Sequence, residues 1–330
     1  MSRHVVFGTG QVGGHLVKGL VHAGHDVVAV SRSGGRRFAG AATVAGDATD
    51  AGFTTEACRG ADVVYFCLDA PDYGRWPEQF PPLQQGVLAG AVAAGARLVV
   101  LENLYGYGDV HGRVLHEDLP LGATSAKGRT RAAMTNQLLD AHARGDVDVA
   151  IGRASDYFGP GATHTALGEL VFDAALRGAT AQVMGDPDRR HTYSYTPDVA
   201  AGLITLGRDP RASGGVWHLP VADTWTTRQI IRHVYELAGH RPKLFAAGRT
   251  SLRLYGLLKP EMREYLHTLY QFTGDWTVSD ERFRATFGDQ STPLPEALAT
   301  TLDWYEATSR EFGVGERKAA VRAMRRVDVL

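Results

Sequence analysis

Three glycines near the N-terminus have the spacing of a phosphate-binding loop. Gly8, Gly10 and Gly13 form GxGxxG directly after a short apolar run and at the start of a helical pattern. In that context the first glycine permits a tight turn, the second lets a pyrophosphate approach backbone N–H groups, and the third lets the helix pack closely on the strand. With Gln11 and Val12 they are predicted to bind the pyrophosphate of a dinucleotide; the alternative is a glycine-rich turn that binds nothing.

The residues after the second apolar run indicate which nucleotide would bind. An NAD site usually has Asp or Glu at this point, where the carboxylate accepts hydrogen bonds from the adenosine ribose. This chain has Ser31, Arg32 and Ser33, with Arg36 and Arg37 nearby. Because a guanidinium group matches a 2′-phosphate, the sequence predicts NADP(H) in preference to NAD(H). The alternative is that Arg32 is an ordinary surface arginine.

Polar residues follow the fifth apolar run, at the edge where open α/β sheets bind ligands. Asn103, Tyr105 and Tyr107 would share one side of an extended chain. Asn103 can donate a hydrogen bond to a carbonyl or enolate oxygen, and Tyr105 can act as a proton donor. For each of the three, the alternative is a buried wall residue whose hydrogen bonds are satisfied within the protein.

These residues need a scaffold of strands and helices, and the hydrophobic pattern provides one. Apolar runs alternate with helical patterns in the first half, as in βαβ units with a parallel sheet. The runs are His4–Phe7, Val27–Val30, Ala42–Ala45, Asp62–Leu68, Arg97–Leu101 and Val147–Gly152. Helices are predicted over Val12–Ala23, Leu83–Ala94, Ser125–Ala143, Thr226–Ala238, Glu261–Tyr270 and Pro295–Thr308. The basic segment 315–330 is interpreted as a solvated amphipathic helix or a docking surface.

Composition excludes several classes of protein. The 330 residues are 44% hydrophobic and 22% charged, and 35 Lys+Arg balance 36 Asp+Glu. That balance attracts neither nucleic acid nor an anionic membrane, so we expect a small-molecule substrate, with a homodimer as an option. We expect no metal. The two cysteines lack CxxC spacing. The spacing of His111 and His116, which lie near Glu117 and Asp118, also fits no metal template. Without an apolar leader or a long apolar run, the chain is expected to be cytoplasmic.

Several segments, in this order, resemble the extended short-chain dehydrogenase/reductase superfamily of the nucleotide-sugar epimerase/dehydratase type. They are GTGQVGGHL at 8–16, Gly46-Asp47, Tyr107-Gly108, RASDYFGPG at 153–161 and TPDVAAGL at 196–203. The resemblance covers nearly the whole chain. It implies an α/β fold in which a doubly wound Rossmann sheet binds NAD(P) and a smaller, interleaved C-terminal domain binds the substrate.

The resemblance also implies domain limits and further contacts. The nucleotide-binding domain would span residues 1–155 with a return segment at about 188–222, and residues 156–187 and 223–330 would form the substrate-binding region. Asp47, Leu68 and Lys127 would contact the cofactor, with Lys127 on the nicotinamide ribose hydroxyls. Because a lysine near a helix N-terminus is electrostatically unfavourable, a site role for Lys127, including proton transfer, is preferred to a solvated surface position. His191 would either bind an acidic or phenolic substrate or belong to a surface turn.

Two of the superfamily's three catalytic side chains are missing from their expected positions. The tyrosine of its Tyr-x-x-x-Lys motif corresponds to Ala123, and its Ser or Thr after the fifth strand corresponds to Asn103. Tyr255 and Lys259 also spell YxxxK, but they lie in an apolar stretch far from the Rossmann context and are interpreted as packing residues. The superfamily's usual acid–base chemistry therefore cannot be carried over intact.

The sequence favours an NADPH-dependent reductase that acts on a carbonyl group or conjugated double bond of a small organic molecule. Tyr105, Asn103 and Lys127 are its predicted catalytic residues, with Tyr105 as an atypical proton donor. One alternative is a non-redox epimerase, dehydratase or cyclase on the same fold. Another is a regulatory protein that binds a dinucleotide without chemistry; a polar, tyrosine-bearing pocket argues mildly against it.

Overall fold

A parallel sheet of seven strands forms the centre of the molecule. The computed structural model describes residues 1–258 and 260–310, and only the backbone of residues 255, 256, 258 and 260–263. Lys259 and the basic segment 315–330 lie outside the described residues. The strands are β1 (Arg3–Phe7), β2 (Asp26–Ser31), β3 (Ala42–Ala45), β4 (Val63–Phe66), β5 (Arg97–Glu102), β6 (Val149–Arg153) and, after three short strands elsewhere, β10 (Val216–His218). Their order is β10-β6-β5-β4-β1-β2-β3, all parallel.

This topology confirms the doubly wound Rossmann sheet. All six predicted runs are strands of it, and β1 lies between β2 and β4, so the chain reverses its direction of winding at β1. The seventh strand, β10, was not predicted. Two smaller parallel pairs lie outside the sheet; they are β7 (Asp156–Phe158) with β9 (Tyr193–Tyr195), and β8 (Ala181–Met184) with β11 (Leu244–Ala247).

Helices cover both faces of the sheet and build the C-terminal region. They are α1 (Gly13–His22), α2 (Ala51–Ala57), α3 (Trp76–Ala94), α4 (Ala126–Ala143), α5 (Glu169–Leu176), α6 (Thr196–Arg208), α7 (Thr227–Leu237), α8 (Arg249–Leu258), α9 (Tyr270–Thr273), α10 (Glu281–Phe287) and α11 (294–310). The predicted helix over Glu261–Tyr270 is wrong, because Pro260–His267 forms 3₁₀ turns and a helix begins only at Tyr270. Two further 3₁₀ turns matter for the site, Tyr73–Arg75 and Tyr105–Tyr107.

Helix α3 begins seven residues earlier than the sequence predicts. It runs through Pro81 and Pro82, which usually end or kink a helix because each removes a backbone donor. Trp76 and Phe80 are each 4% exposed and pack against the sheet core, so their burial outweighs the cost of the prolines.

Three of the hydrophobic cores formed by the described residues are large. On one face of the sheet α2, α3 and α4 cover side chains such as Val64 and Val100; on the other, α1 and α6 cover Val6 and Val99. A third core, centred on Phe172, unites α5, α7 and α11. Within the described part of the chain, no helix combines the length and apolar character needed to cross a membrane.

Candidate functional site

The glycine loop between β1 and α1 has the geometry of a phosphate cradle. Gly8 has φ +96°, and a Cβ placed there would collide with the main-chain oxygen of Cys67. A Cβ on Gly13 would collide with the Gly8 oxygen, whereas one on Gly10 would meet nothing within 4 Å. The N–H groups of Gly10, Gln11 and Val12 donate to no other described residue. Tight packing beneath the loop and open space with free donors above it suit a pyrophosphate.

Four of the predicted adenosine-side residues lie around the carboxyl ends of β2, β3 and β4. Ser31, Arg32 and Leu68 line one small pocket. Arg32 is exposed, and it makes no hydrogen bond or ion pair with another described residue. Asp47 lies next to Gly46, a lining residue, and accepts hydrogen bonds from the N–H and hydroxyl of Thr49 at 2.9 and 2.8 Å. Arg32 is therefore available to an anion at this end of the loop.

Arg36 contacts the glycine loop directly, which sequence reasoning did not foresee. Its Nη1 donates to the main-chain oxygens of Thr9 at 2.9 Å and Gly10 at 3.4 Å, and its guanidinium lies over the Phe38 ring. A Cβ on Gly14 would approach the same guanidinium to 2.9 Å. Arg36 therefore steadies the loop and places a positive charge beside the proposed phosphate site.

Lys127 is a buried residue of α4, not a solvated one. Ser125 caps the helix by accepting a hydrogen bond from the N–H of Gly128 at 3.1 Å, which places Lys127 in the first turn. The side chain is 4% exposed, its ammonium group pairs with the Glu264 carboxylate, and its Nζ lies 4.1 Å from the centre of the Tyr73 ring. The lysine that the resemblance predicts to bind the cofactor ribose is thus paired with Glu264 in this structure.

Tyr105 and Asn103 meet at the same edge. The Tyr105 hydroxyl is 3.1 Å from that of Tyr73, its ring stacks on Trp76, and burial raises its pKa well above the usual value. Asn103 Oδ1 accepts the Tyr105 N–H at 3.1 Å, which leaves the amide NH₂ as a donor. We call Tyr73, Trp76 and Tyr105 the aromatic wall. Tyr73 contacts both Tyr105 and Lys127, and Asn103 is joined to the main chain of Tyr105, so the three predicted catalytic residues lie in one cluster.

Tyr73 is the member of this group that sequence reasoning missed. A signal was available, because residues 67–75 leave β4 at the same carboxyl edge as residues 103–108 leave β5, so an aromatic residue there faces the same space. Burial raises the pKa of Tyr73 to about 12. Both tyrosines therefore remain protonated hydrogen-bond donors at neutral pH.

A buried polar network lies behind the site. Glu102 is 2% exposed, and its carboxylate accepts a hydrogen bond from Arg153 Nε at 3.1 Å. The same carboxylate also forms an ion pair with Arg131. Arg153 Nη1 donates to the Tyr107 hydroxyl, which in turn lies 2.8 Å from His218 Nε2. His218 Nδ1 faces the main-chain oxygen of Ser279 and so carries the proton; burial lowers the pKa of His218 to about 3. Tyr107 is engaged in this network, which agrees with a structural role. The prediction that Tyr105 and Tyr107 share one side of an extended chain is wrong, because Tyr105–Tyr107 forms a 3₁₀ turn that directs the two hydroxyls to different partners.

Comparisons with known proteins agree with this architecture. The model described as the NAD dependent epimerase/dehydratase family matches residues 5–219. No curated protein sequence matches the chain. Among solved structures it is similar to MoeE5 in complex with UDP-glucose and NAD (22% identity, TM-score 0.74, 93% of this chain and 99% of that one).

Two further solved structures extend the likeness. One is DesIV, a dTDP-glucose 4,6-dehydratase from Streptomyces venezuelae with NAD bound (19% identity, TM-score 0.76, 94% of this chain and 99% of that one). The other is UDP-glucose 4-epimerase from Thermotoga maritima with UDP-glucose (14% identity, TM-score 0.76, 93% of this chain and 99% of that one). At these identities the likeness shows a shared fold.

Proposed function

Since the chain belongs to the NAD dependent epimerase/dehydratase family, we propose that it binds a nicotinamide dinucleotide and transfers hydride at an alcohol or carbonyl carbon of a small organic molecule. One observation carries the proposal: the glycine loop, Lys127 and the aromatic wall all lie at the carboxyl edge of one parallel sheet. Open α/β sheets bind ligands there. When bound, the nucleotide would supply or accept the hydride.

The binding residues have distinct roles in this proposal. The free N–H groups of Gly10, Gln11 and Val12 would hold the pyrophosphate, with Arg36 adding charge beside the loop. Asp47 and Leu68 would contact the adenosine end. Lys127 would leave Glu264 and bind the nicotinamide ribose hydroxyls.

NADP(H) is the proposed nucleotide because of Arg32. It lies at the end of β2, where a carboxylate would favour NAD, and its guanidinium is available to a 2′-phosphate. Two of the solved structures named above contain NAD. The choice between the two nucleotides is therefore a direct test of what Arg32 does.

Asn103 and Tyr105 are the proposed contacts of the reacting oxygen. The Asn103 amide would donate a hydrogen bond to it, as oxyanion-stabilising amides do. Tyr105 is the proposed proton donor, and its hydrogen bond with Tyr73 would hold the hydroxyl in place. Because the pKa of Tyr105 lies well above the usual value, a tyrosinate is costly, so its proton must be replaced as the reaction proceeds.

Net reduction is the leading form of the reaction, and family membership favours a second form in which hydride returns to the substrate. The two differ in stoichiometry. A reductase consumes one NADPH per product, whereas an epimerase or dehydratase converts many substrate molecules without net nucleotide oxidation.

The deciding experiment follows nucleotide absorbance and product together. Ketones, enones and UDP-sugars are incubated with the protein and each nucleotide, the last group because two solved relatives contain UDP-glucose. One NADPH oxidised per product supports the reductase. Product without oxidation supports the epimerase or dehydratase, and absence of both reactions, with nucleotide bound, supports a regulatory protein.

A further inference from the structure

A buried histidine–aspartate pair lies beyond the groups assigned above. His191 is 3% exposed; its Nε2 is 2.9 Å from Asp156 Oδ2, and its Nδ1 is 3.1 Å from the main-chain oxygen of Gln271. The imidazole is stacked on the Phe272 ring, with centroids 4.7 Å apart. The structure therefore places His191 in the interior, not in the surface turn that was one of its two predicted positions.

The neighbours of this imidazole determine where its protons lie. The Gln271 oxygen can only accept, so Nδ1 carries a hydrogen. A second proton must lie between Nε2 and Asp156, because two lone pairs facing each other at 2.9 Å would repel. The pair thus holds one transferable proton. Asp156 Oδ1 makes no hydrogen bond with another described residue.

The pair lies beside Tyr105 at the ligand-binding edge. β5 and β6 are in register at Glu102 and Arg153, and Tyr105 and Asp156 each follow that matched pair by three residues. The Asp156 side chain is 21% exposed, and its charge contributes to the raised pKa of both tyrosines of the aromatic wall. The carboxyl group is therefore close to the space where the substrate oxygen is proposed to bind.

A buried hydroxyl next to the pair also lacks a partner among the described residues. Ser155, which precedes Asp156 in the chain, is 6% exposed, and its Oγ makes no hydrogen bond with another described residue. Buried polar groups are rarely left unsatisfied in folded proteins, so this hydroxyl indicates a ligand or ordered water at this position.

We propose that Asp156, oriented by His191, is a second acid–base group that exchanges a proton with the carbon next to the substrate carbonyl. The proposal rests on the proposed function, which places that carbonyl oxygen at Asn103 and Tyr105. The C–H bond breaks and its proton passes to Asp156 Oδ1. The electron pair forms the C=C bond of an enolate, while the carbonyl π electrons move onto oxygen, where the two donors stabilise them. Return of the proton to carbon restores the ketone without any oxidant or reductant.

This chemistry identifies the substrate as a ketone, bound or formed at the site, with a hydrogen on the neighbouring carbon. Epimerisation or dehydration at that carbon requires such a proton transfer, whereas reduction of a ketone does not. Asp156 is the catalytic residue in this step because it touches the reacting hydrogen. His191 is a positioning residue that orients the carboxyl group.

The test separates proton exchange from hydride transfer. The full chain is incubated in D₂O with cyclic ketones that carry no hydroxyl group, at saturating NADP⁺, which can neither reduce nor oxidise them, and deuterium at the neighbouring carbon is followed by NMR. We expect exchange above the buffer rate in the wild type. Asp156→Asn should lower it by about 10²- to 10⁴-fold at unchanged NADP⁺ affinity. His191→Gln should lower it less and shift its pH profile, because the carboxyl group remains but loses its orienting partner.

A matched control and two adverse results make the experiment decisive. Asp188→Asn removes an exposed carboxylate that pairs with Arg228 and should leave exchange unchanged. Exchange at the wild-type rate in folded Asp156→Asn overturns the proposal. So does a wild type that oxidises NADPH with these ketones but exchanges no deuterium, a result that leaves the proposed hydride transfer intact.

Discussion

Arg32→Ala is expected to abolish a preference for NADPH. Arg32 is exposed and makes no hydrogen bond or ion pair with another described residue, so its removal breaks no internal contact. A hydrogen bond between a guanidinium and a phosphate contributes about 1.5–3 kcal/mol. At about 1.4 kcal/mol per tenfold change, the Kd of NADPH should rise about 10- to 150-fold. The Kd of NADH should change little, because NADH has a hydroxyl group where NADPH has the 2′-phosphate.

Titration of both nucleotides by calorimetry or nicotinamide fluorescence measures the effect. Arg37→Ala is the matched control, since Arg37 is also exposed but lies farther along the same loop. Arg36→Ala should weaken both nucleotides, because its guanidinium contacts the main chain of the glycine loop. Equal wild-type affinities, or a preference for NADPH that survives in Arg32→Ala, would refute the assignment of the 2′-phosphate to Arg32.

Four further outcomes are expected. Tyr105→Phe should lower kcat by about 10²- to 10⁴-fold at constant nucleotide affinity, and near-normal kcat would exclude it as the proton donor. Glu264→Gln should tighten nucleotide binding about two- to fivefold, because it weakens the competitor for Lys127; unchanged or weaker binding in titrations would contradict this. Tyr107→Phe should cost about 1–3 kcal/mol of unfolding free energy in urea, since buried partners lose their hydrogen bond, with kcat little changed; a stable variant with low kcat would contradict that. The pKa of His218 falls from 6.5 to about 3 on folding, so the unfolded chain binds one more proton at this residue than the folded chain. As the pH falls below 6.5, His218 by itself should lower the unfolding free energy by about 1.4 kcal/mol per pH unit; urea titrations in which His218→Asn has the wild-type slope would refute this.

The strands were predictable because their signal is local. Val27–Val30, which lies within β2, is one example: the run is continuous in apolar residues, as expected of a strand buried on both faces. Strand β10 was not predictable in this way. It has only three residues, Val216–His218, and exists because the chain returns to pair with β6. Its register depends on contacts that no short window of sequence contains.

The same distinction separates the parts of the site. The glycine loop was predictable because its constraints involve residues close in sequence, such as Gly8 and Gly13. The partner of Lys127 was not, since Glu264 lies 137 residues away. His191 and Asp156 are likewise separated by 35 residues and meet only when β7 pairs with β9. Sequence spacing could indicate candidate side chains for the site but not which of them touch.

The environment of Lys127 links the two halves of the chain. A buried ammonium group requires a compensating charge, and Ala123, which lies four residues before it, offers no polar side chain. Glu264 from the C-terminal region supplies the charge, and the Tyr73 ring covers the nitrogen. A nucleotide that binds Lys127 through its ribose would therefore compete with the Glu264 carboxylate for the donors of the ammonium group. Nucleotide binding and the position of the 3₁₀ turns that carry Glu264 are then coupled, so each should affect the other by the same free energy.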